Sequence, residues 1–165
     1  MSNPQPAADR PEFPATYGVD RTAVSGILSW DTVREQLTTA RNYWLATTRP
    51  DGRPHVTPVW GLWLDDAFVF STDPASVKGK NMAAQPAVAV HLESGDNVVI
   101  LEGSAETLKD LSVLEQFAAA YKVKYDIDVD ITNADYGVYA VRPATAQAWL
   151  ESDFPASATR WKFAK

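Results

Sequence analysis

The chain has 165 residues, of which 45% are hydrophobic and 22% charged, a composition typical of a globular protein with one domain-sized core. Its formal net charge of -6 and its scattered lysines and arginines argue against a nucleic-acid-binding surface. There is no cysteine, no signal-peptide pattern, and no apolar run near the roughly 18 residues of a membrane span. We therefore expect a cytoplasmic protein with no membrane partner.

The first part of the chain predicts an arm followed by a helix. Residues 1–25 are rich in proline and show little hydrophobic periodicity. We expect them to form a flexible or extended N-terminal arm, with the folded domain spanning residues 26–165. Asp31 then fits the N-cap of a short helix that presents Val33 and Leu37 on one face.

The next segment predicts two hairpins. Tyr43–Thr48 has strand character and leads into the turn Arg49–Arg53, where a proline, an aspartate and a glycine occupy positions that suit them. The return strand is predicted over 55–64. Asp65–Asp66 then forms a second tight turn into a strand over 67–71.

The second half of the chain predicts four more strands and one longer helix. Strands are expected over 87–92, 98–108, 137–150 and 159–163. A helix is expected over 110–124, with an apolar stripe typical of core packing that consists of Leu111, Leu114, Phe117, Ala118 and Tyr121. The elements indicate a mainly β, α+β fold built as a small antiparallel barrel of six or seven strands.

The segment 71–81 is a candidate phosphate site. Asp73 fits the N-cap of a helix and Pro74 its first position, so the free N–H groups of the first turn would favour an anion. The hydroxyls and cations that can complete a phosphate cradle belong to Ser71, Thr72, Ser76, Lys78 and Lys80. An ordinary capped helix with solvated lysines is the alternative.

The segment 55–60 is a candidate site for a flat ring. It consists of His55, Val56, Thr57, Pro58, Val59 and Trp60. Pro58 indicates an edge or bulged strand, whose free backbone groups can pair with the edge of a flavin-like ring. Trp60 or Trp63 can cover the face of that ring; the alternative is that both lie in the core or in a dimer contact.

The C-terminal segment 159–163 alternates cations with aromatic residues, as a half-buried strand does. Arg160 can pair with a phosphate or with an acidic cofactor tail, or the strand can simply close the sheet. The two histidines lie far apart, and the acidic run 126–130 lacks the pattern of a calcium loop. We therefore predict no metal site, and no residue can be assigned as an acid or base catalyst.

The segments WLATTRPDGRPHVTPVWGLW, FSTDPASVKGKNMAAQPAVAV, VVILEGSAE and TRWKF, in this order and spacing, resemble the pyridoxamine 5'-phosphate oxidase-like FMN/F420-dependent split β-barrel family. The resemblance covers about residues 28–163. It implies a six-stranded antiparallel split barrel with short peripheral helices, forming a homodimer with cofactor sites at the interface. It also implies that segment 55–60 runs beside the ring, and that the phosphate is bound by Ser71, Thr72, Ser76, Lys78, Lys80 and Asn81.

The resemblance implies an oxidoreductase that transfers a hydride between F420, or alternatively FMN, and a small planar conjugated substrate. Vitamin B6 oxidation is not expected, because the basic residues that bind the substrate phosphate are not evident beyond Arg160. The cations that favour F420 and its acidic tail are Arg49, Arg53, Arg160 and Lys162. The alternatives are a non-catalytic protein that binds flavin, deazaflavin or haem, and a cofactor-free dimer that acts as an interaction module.

Overall fold

The computed structural model describes residues 5–20, 22–133 and 135–164. In these ranges the chain forms nine β-strands and three α-helices. The strands are β1 (Ala7–Asp9), β2 (Tyr43–Thr48), β3 (Pro54–Val59), β4 (Leu62–Leu64), β5 (Ala67–Thr72), β6 (Ala87–His91), β7 (Asn97–Thr107), β8 (Gly137–Leu150) and β9 (Thr159–Lys162). The helices are α1 (Trp30–Thr39), α2 (Val77–Ala84) and α3 (Leu111–Tyr125).

All strand pairs are antiparallel, and the order along the sheet is β1-β9-β8-β7-β6-β2-β3. The long strand β8 pairs with β7 along one edge. Along its other edge, the first part of β8 pairs with β5 and the later part pairs with β9. Strand β4 pairs with β5. The chain therefore has the expected mainly β, α+β architecture, but with nine strands in place of the predicted six or seven.

The additional strands have local causes. The predicted strand 55–64 is interrupted at Trp60 and Gly61, which separate β3 from β4. A Cβ at Gly61 would lie 2.4 Å from the ring of Phe68, so the backbone passes close to the core there. The other added strand is β1, in a segment where the sequence shows little strand periodicity.

Two helices begin at residues other than the predicted caps. The N-cap of α1 is Ser29, whose hydroxyl accepts a hydrogen bond from the N–H of Thr32, and Asp31 lies inside the first turn. The N-cap of α2 is Ser76, which accepts from the N–H of Gly79. Asp73 instead closes a turn before the helix, where its carboxylate accepts from the N–H of Ala75 at 2.6 Å. In both helices the N-cap is thus a serine and not the nearby aspartate, which could also have capped the helix: Ser29 precedes Asp31, and Ser76 follows Asp73.

The core has two parts. The larger part lies inside the sheet and contains large aromatic side chains, including Trp30, Trp63 and Trp161. The smaller part lies under α3 and is centred on Phe117 and Tyr125. The predicted stripe of α3 is therefore partly core, although Leu111 at its start is exposed. The smaller cluster holds α3 against the junction between β3 and β4.

The described part of the N-terminal arm lies against the sheet. Strand β1 pairs with β9, and the side chain of Arg10 is only 5% exposed. Residues 1–4 and Arg21 lie outside the described residues, and the boundary near residue 25 stays a prediction. None of the described helices combines the length and apolar character needed to cross a bilayer.

Candidate functional site

A cleft of about 660 Å³ opens where the end of β3, the end of β5 and the start of α2 meet. This volume falls within the range of roughly 300–1,000 Å³ that is typical of small-molecule sites. Its walls also include parts of β2, α3 and the β6–β7 loop. The residues that line it are Asn42, Trp44, Pro58, Val59, Trp60, Ser71, Thr72, Lys78, Glu93 and Tyr121.

One end of the cleft is polar and carries a cation. Strand β5 ends there with Ser71 and Thr72, and the first turn of α2 brings Lys78 beside them. The hydroxyl of Thr72 lies 3.4 Å from that of Ser76, the N-cap of α2. The first N–H groups of an α-helix have no partner within the helix. This end of the cleft therefore combines hydroxyls, a helix N-terminus and an ammonium group, which together favour an anion.

Gly79 allows α2 to start close to the preceding turn. A Cβ at this position would lie 2.5 Å from the carbonyl oxygen of Pro74 and 2.7 Å from that of Asp73. Any other residue would push the first turn of α2 away from the turn that follows β5. The absence of a side chain at Gly79 thus helps to hold Lys78 next to the end of β5.

The other end of the cleft is aromatic. The indole N–H of Trp60 donates to Oδ1 of Asn42 at 3.1 Å, and the same amide donates to the carboxylate of Glu93 at 3.1 Å. Trp44 and Tyr121 complete this wall. Burial, with a smaller contribution from Tyr125, raises the pKa of Tyr121, so its hydroxyl remains protonated at neutral pH. This end offers aromatic surface for a flat ring.

The structure brings six of the predicted cofactor residues to the cleft, namely Pro58, Val59, Trp60, Ser71, Thr72 and Lys78. Ser76 lies behind them as the N-cap of α2. His55, Val56 and Thr57 lie further along β3, which pairs only with β2 in the part of the chain described here. The edge position that Pro58 predicted for this strand is confirmed.

Three predicted residues lie away from the cleft walls. Lys80 is exposed on the next turn of α2. Asn81 is 2% exposed beneath α2, where its amide donates to the hydroxyl of Thr47 at 2.9 Å. Arg160 pairs with the carboxylate of Asp9 through two hydrogen bonds of 2.7 and 2.8 Å. Their role in binding a cofactor stays a prediction.

Four lining residues are absent from the predicted set, namely Asn42, Trp44, Glu93 and Tyr121. Tyr121 was assigned to the core stripe of α3, yet it is only half-buried and faces the cleft. Conversely, Trp63 does not cover a ring: it is 8% exposed and packs edge-on against Trp30 in the core. Within the described ranges, no group of three or more histidine, aspartate or glutamate side chains is arranged to hold a metal ion.

The family model for pyridoxamine 5'-phosphate oxidase matches residues 29–150. Among solved structures, an F420 reductase is 27% identical, with a TM-score of 0.54, and the match covers 68% of this chain and 94% of that one. A FAD-binding protein from Mesorhizobium loti is 22% identical, with a TM-score of 0.60 and coverage of 81% and 94%. A haem-binding protein from Mycobacterium smegmatis is 19% identical, with a TM-score of 0.58 and coverage of 74% and 55%. The last two establish a shared fold alone, and no curated protein matches the chain.

Proposed function

The chain belongs to the pyridoxamine 5'-phosphate oxidase family, and from this membership we propose that it is an oxidoreductase that uses the deazaflavin F420. The single observation that carries the proposal is the composition of the cleft. One cavity joins the cation Lys78 and the hydroxyls of Ser71 and Thr72 to the aromatic wall of Trp44 and Trp60. A ring system that bears a phosphate has this division into a flat apolar part and an anionic part.

The residues present fit such a cofactor. The phosphate would lie at the N-terminus of α2, against Lys78 and the hydroxyls that end β5. The ring would lie against Trp60 and the outer edge of β3, which has backbone groups free of a neighbouring strand. When bound, the cofactor would supply the hydride chemistry.

The protein's own contribution is to bind and orient. Trp60 is fixed by its hydrogen bond to Asn42 and by its stacking on Tyr125, so its ring has one defined orientation in the cleft. Such a fixed wall would hold the flat ring of the cofactor in one orientation and restrict the access of water. No side chain in the cleft is required to act as an acid or a base for this role.

F420 is favoured over FMN by the similarity to an F420 reductase, which is 27% identical over most of its length. The cations that favoured F420 in the sequence carry less weight, because Arg53 pairs with Asp51, and Arg160 and Lys162 both pair with Asp9. FMN remains the second candidate cofactor, since both cofactors share a phosphate and a tricyclic ring.

The test is a fluorescence titration of the purified protein with F420 and with FMN. Tryptophan quenching is a suitable signal, because Trp44 and Trp60 both line the cleft. We expect Lys78→Ala to weaken cofactor binding by about tenfold, the equivalent of one charge-assisted hydrogen bond. Equal binding by the variant and the wild type would exclude the phosphate cradle.

Lys109→Ala is the control for this experiment. Lys109 is an exposed lysine that does not line the cleft and was not predicted to bind the cofactor, so its loss should leave the affinity nearly unchanged. If both variants lose affinity equally, the effect is general electrostatic attraction and not the cradle. Binding of haem alone, with neither F420 nor FMN, would favour a non-catalytic haem protein.

We further infer that two copies associate so that each covers the cleft of the other. The inference rests on the exposed edge of β3 and on two exposed valines near the cleft, Val56 and Val77. Val56→Glu should shift the protein towards the monomer in light scattering, whereas Val24→Glu, at an exposed valine of the N-terminal region, should not. A monomeric wild type would contradict the inference.

A further inference from the structure

A second cavity of about 340 Å³ lies beside the cleft, between the end of β5, α3 and the loop that joins α3 to β8. We call it the loop pocket. Ser71 and Tyr121 line both the cleft and the loop pocket, so the two cavities share a wall. A molecule in the loop pocket would therefore lie beside a cofactor held in the cleft.

Part of the wall that the loop contributes is apolar or aromatic. It presents Ile127 and Val129, and Tyr136 stands near the start of β8. Ile127 and Tyr136 are 43% and 57% exposed, so large hydrophobic side chains face solvent there. Together with the ring of Tyr121, they form surfaces that suit the faces of a flat molecule.

The charge of the loop pocket is negative. Asp128 and Asp130 line it, and no lysine or arginine is among its described lining residues. Hydrogen bonds from the hydroxyl and N–H of Thr132 lower the pKa of Asp130, so its carboxylate is ionised at neutral pH. Asp128 pairs at 3.1 Å with Lys122, but Lys122 also pairs with Asp126 and is not a lining residue. The net charge of the residues in and beside the loop pocket therefore remains negative.

This charge is opposite to that of the cleft's polar end, where Lys78 stands. The polar end of the cleft would therefore attract an anionic cofactor, whereas the loop pocket would repel an anionic substrate. A phosphate or carboxylate group would be repelled from the loop pocket, whereas a neutral or cationic ring would not.

We propose that the loop pocket is the substrate site of the enzyme, and that it selects neutral or cationic planar molecules against those that carry a phosphate or a carboxylate. The proposal rests on the proposed function, because the substrate must lie beside the bound cofactor. Its volume limits the substrate to a small ring system. The substrate after which the family is named, pyridoxamine 5'-phosphate, is a phosphorylated pyridine. It belongs to the class of molecules that this pocket would exclude.

Three probes with one ring system test the proposal: quinoline, 1-methylquinolinium and quinoline-2-carboxylate. Their binding to the cofactor-loaded protein is measured by calorimetry at pH 7.5, without turnover. The cation and the neutral ring should bind, and the carboxylate should bind more weakly than the cation by about twofold to fivefold, as expected for solvent-exposed charges near contact. Equal affinity for the cation and the carboxylate would overturn the proposal.

Asp128→Asn and Asp126→Asn form a matched pair. Both carboxylates lie 3.1 Å from the ammonium of Lys122, but only Asp128 lines the loop pocket. Asp128→Asn should reduce the preference for the cation over the carboxylate, and Asp126→Asn should leave that preference unchanged. If both variants reduce the preference equally, it reflects the overall charge of the protein and the proposal fails.

The same samples separate this proposal from the proposed function. The affinity for F420 and FMN is titrated in each variant, and Asp128→Asn should leave it unchanged because Asp128 does not line the cleft. Cofactor binding without the charge preference among the probes would reject the loop pocket alone. Failure to bind either cofactor would reject the proposed function, and with it the role of the pocket as a substrate site.

Discussion

The indole of Trp60 lies parallel to the phenol ring of Tyr125, with ring centroids 4.9 Å apart and an interplanar angle of 4°. Trp60 lines the cleft, whereas Tyr125 is buried at the end of α3. The hydroxyl of Tyr125 accepts from the N–H of Gly61 at 3.1 Å and lies 2.7 Å from the carbonyl oxygen of Arg41. Through Tyr125, helix α3 therefore helps to fix the orientation of Trp60 in the aromatic wall.

Tyr125→Phe should distinguish the contribution of the ring stacking from that of the hydrogen bonds made by the hydroxyl. The variant keeps the ring beneath Trp60 but leaves the buried N–H of Gly61 without its partner, which should cost about 1–2 kcal/mol of unfolding free energy. Cofactor affinity should fall as well, because Gly61 directly follows Trp60. Urea denaturation and cofactor titration measure the two effects. Tyr17→Phe, at a largely exposed tyrosine, should change neither, and an equal loss there would contradict the assignment.

Lys124 supports the same junction and should make stability depend on pH. Its ammonium lies 2.9 Å from the hydroxyl of Tyr43 and 3.1 Å from the carbonyl oxygen of Gly61. Burial lowers the pKa of Lys124 to about 8 from its usual value of 10.5. Between these two values the unfolded chain binds more protons than the folded one, so the free energy of unfolding should rise with pH above about 8.

The trend should reverse near pH 10. Burial raises the pKa of Tyr43 well above its usual value of 10.0, so only the unfolded chain loses that proton there and stability falls again. Lys124→Met should lose the rise above pH 8 and keep the fall. Chemical denaturation at a series of pH values measures both. Lys109→Met, at an exposed lysine, should retain the full profile; a flattened profile in that variant would exclude Lys124 as its cause.

The hairpins could be predicted because their causes are local. The N–H of Arg49 donates to the carbonyl of Arg53 at 2.9 Å, and Gly52 between them has a φ of 84°. Asp65 and Asp66 both adopt positive φ, as the predicted tight turn requires. The start of α2 was less predictable, since an aspartate and a serine three residues apart can each cap a helix.

The walls of the cleft could be predicted only in part. Segments 55–60 and 71–78 are each a continuous stretch of sequence, so the polar, charged and aromatic residues that they bring to the cleft could be recognised from the sequence. Asn42, Glu93 and Tyr121 come from separate elements that reach the cleft through the sheet topology and the packing of α3. Their residue types have no local signature of a site, and Tyr121 has the spacing of an ordinary core position. The strand register and helix packing that bring these residues together could not be derived from a single sequence.

Gly79→Ala should disturb the polar end of the cleft. The new Cβ would approach the carbonyl oxygens of Pro74 and Asp73 to within 2.5 and 2.7 Å, so the first turn of α2 must shift. We expect a loss of about 1–3 kcal/mol of unfolding free energy, as for other overpacked sites, together with weaker cofactor binding. Gly95→Ala is the matched control, because a Cβ there meets open space. Wild-type cofactor affinity in Gly79→Ala would show that Lys78 does not depend on this close contact.

Arg10→Ala should show that the described N-terminal segment contributes to stability. The guanidinium of Arg10 donates to the backbone carbonyls of Ala23 at 2.9 Å and Ala158 at 3.1 Å, among others, and so joins the arm to the segment before β9. Its removal leaves several carbonyls without their donor, and we expect a loss of about 3 kcal/mol of unfolding free energy. Arg142→Ala removes an exposed ion pair with Glu106 and should cost less than about 1 kcal/mol. Similar losses in the two variants would mean that the arm is held by the strand pairing of β1 alone and that the buried guanidinium adds little.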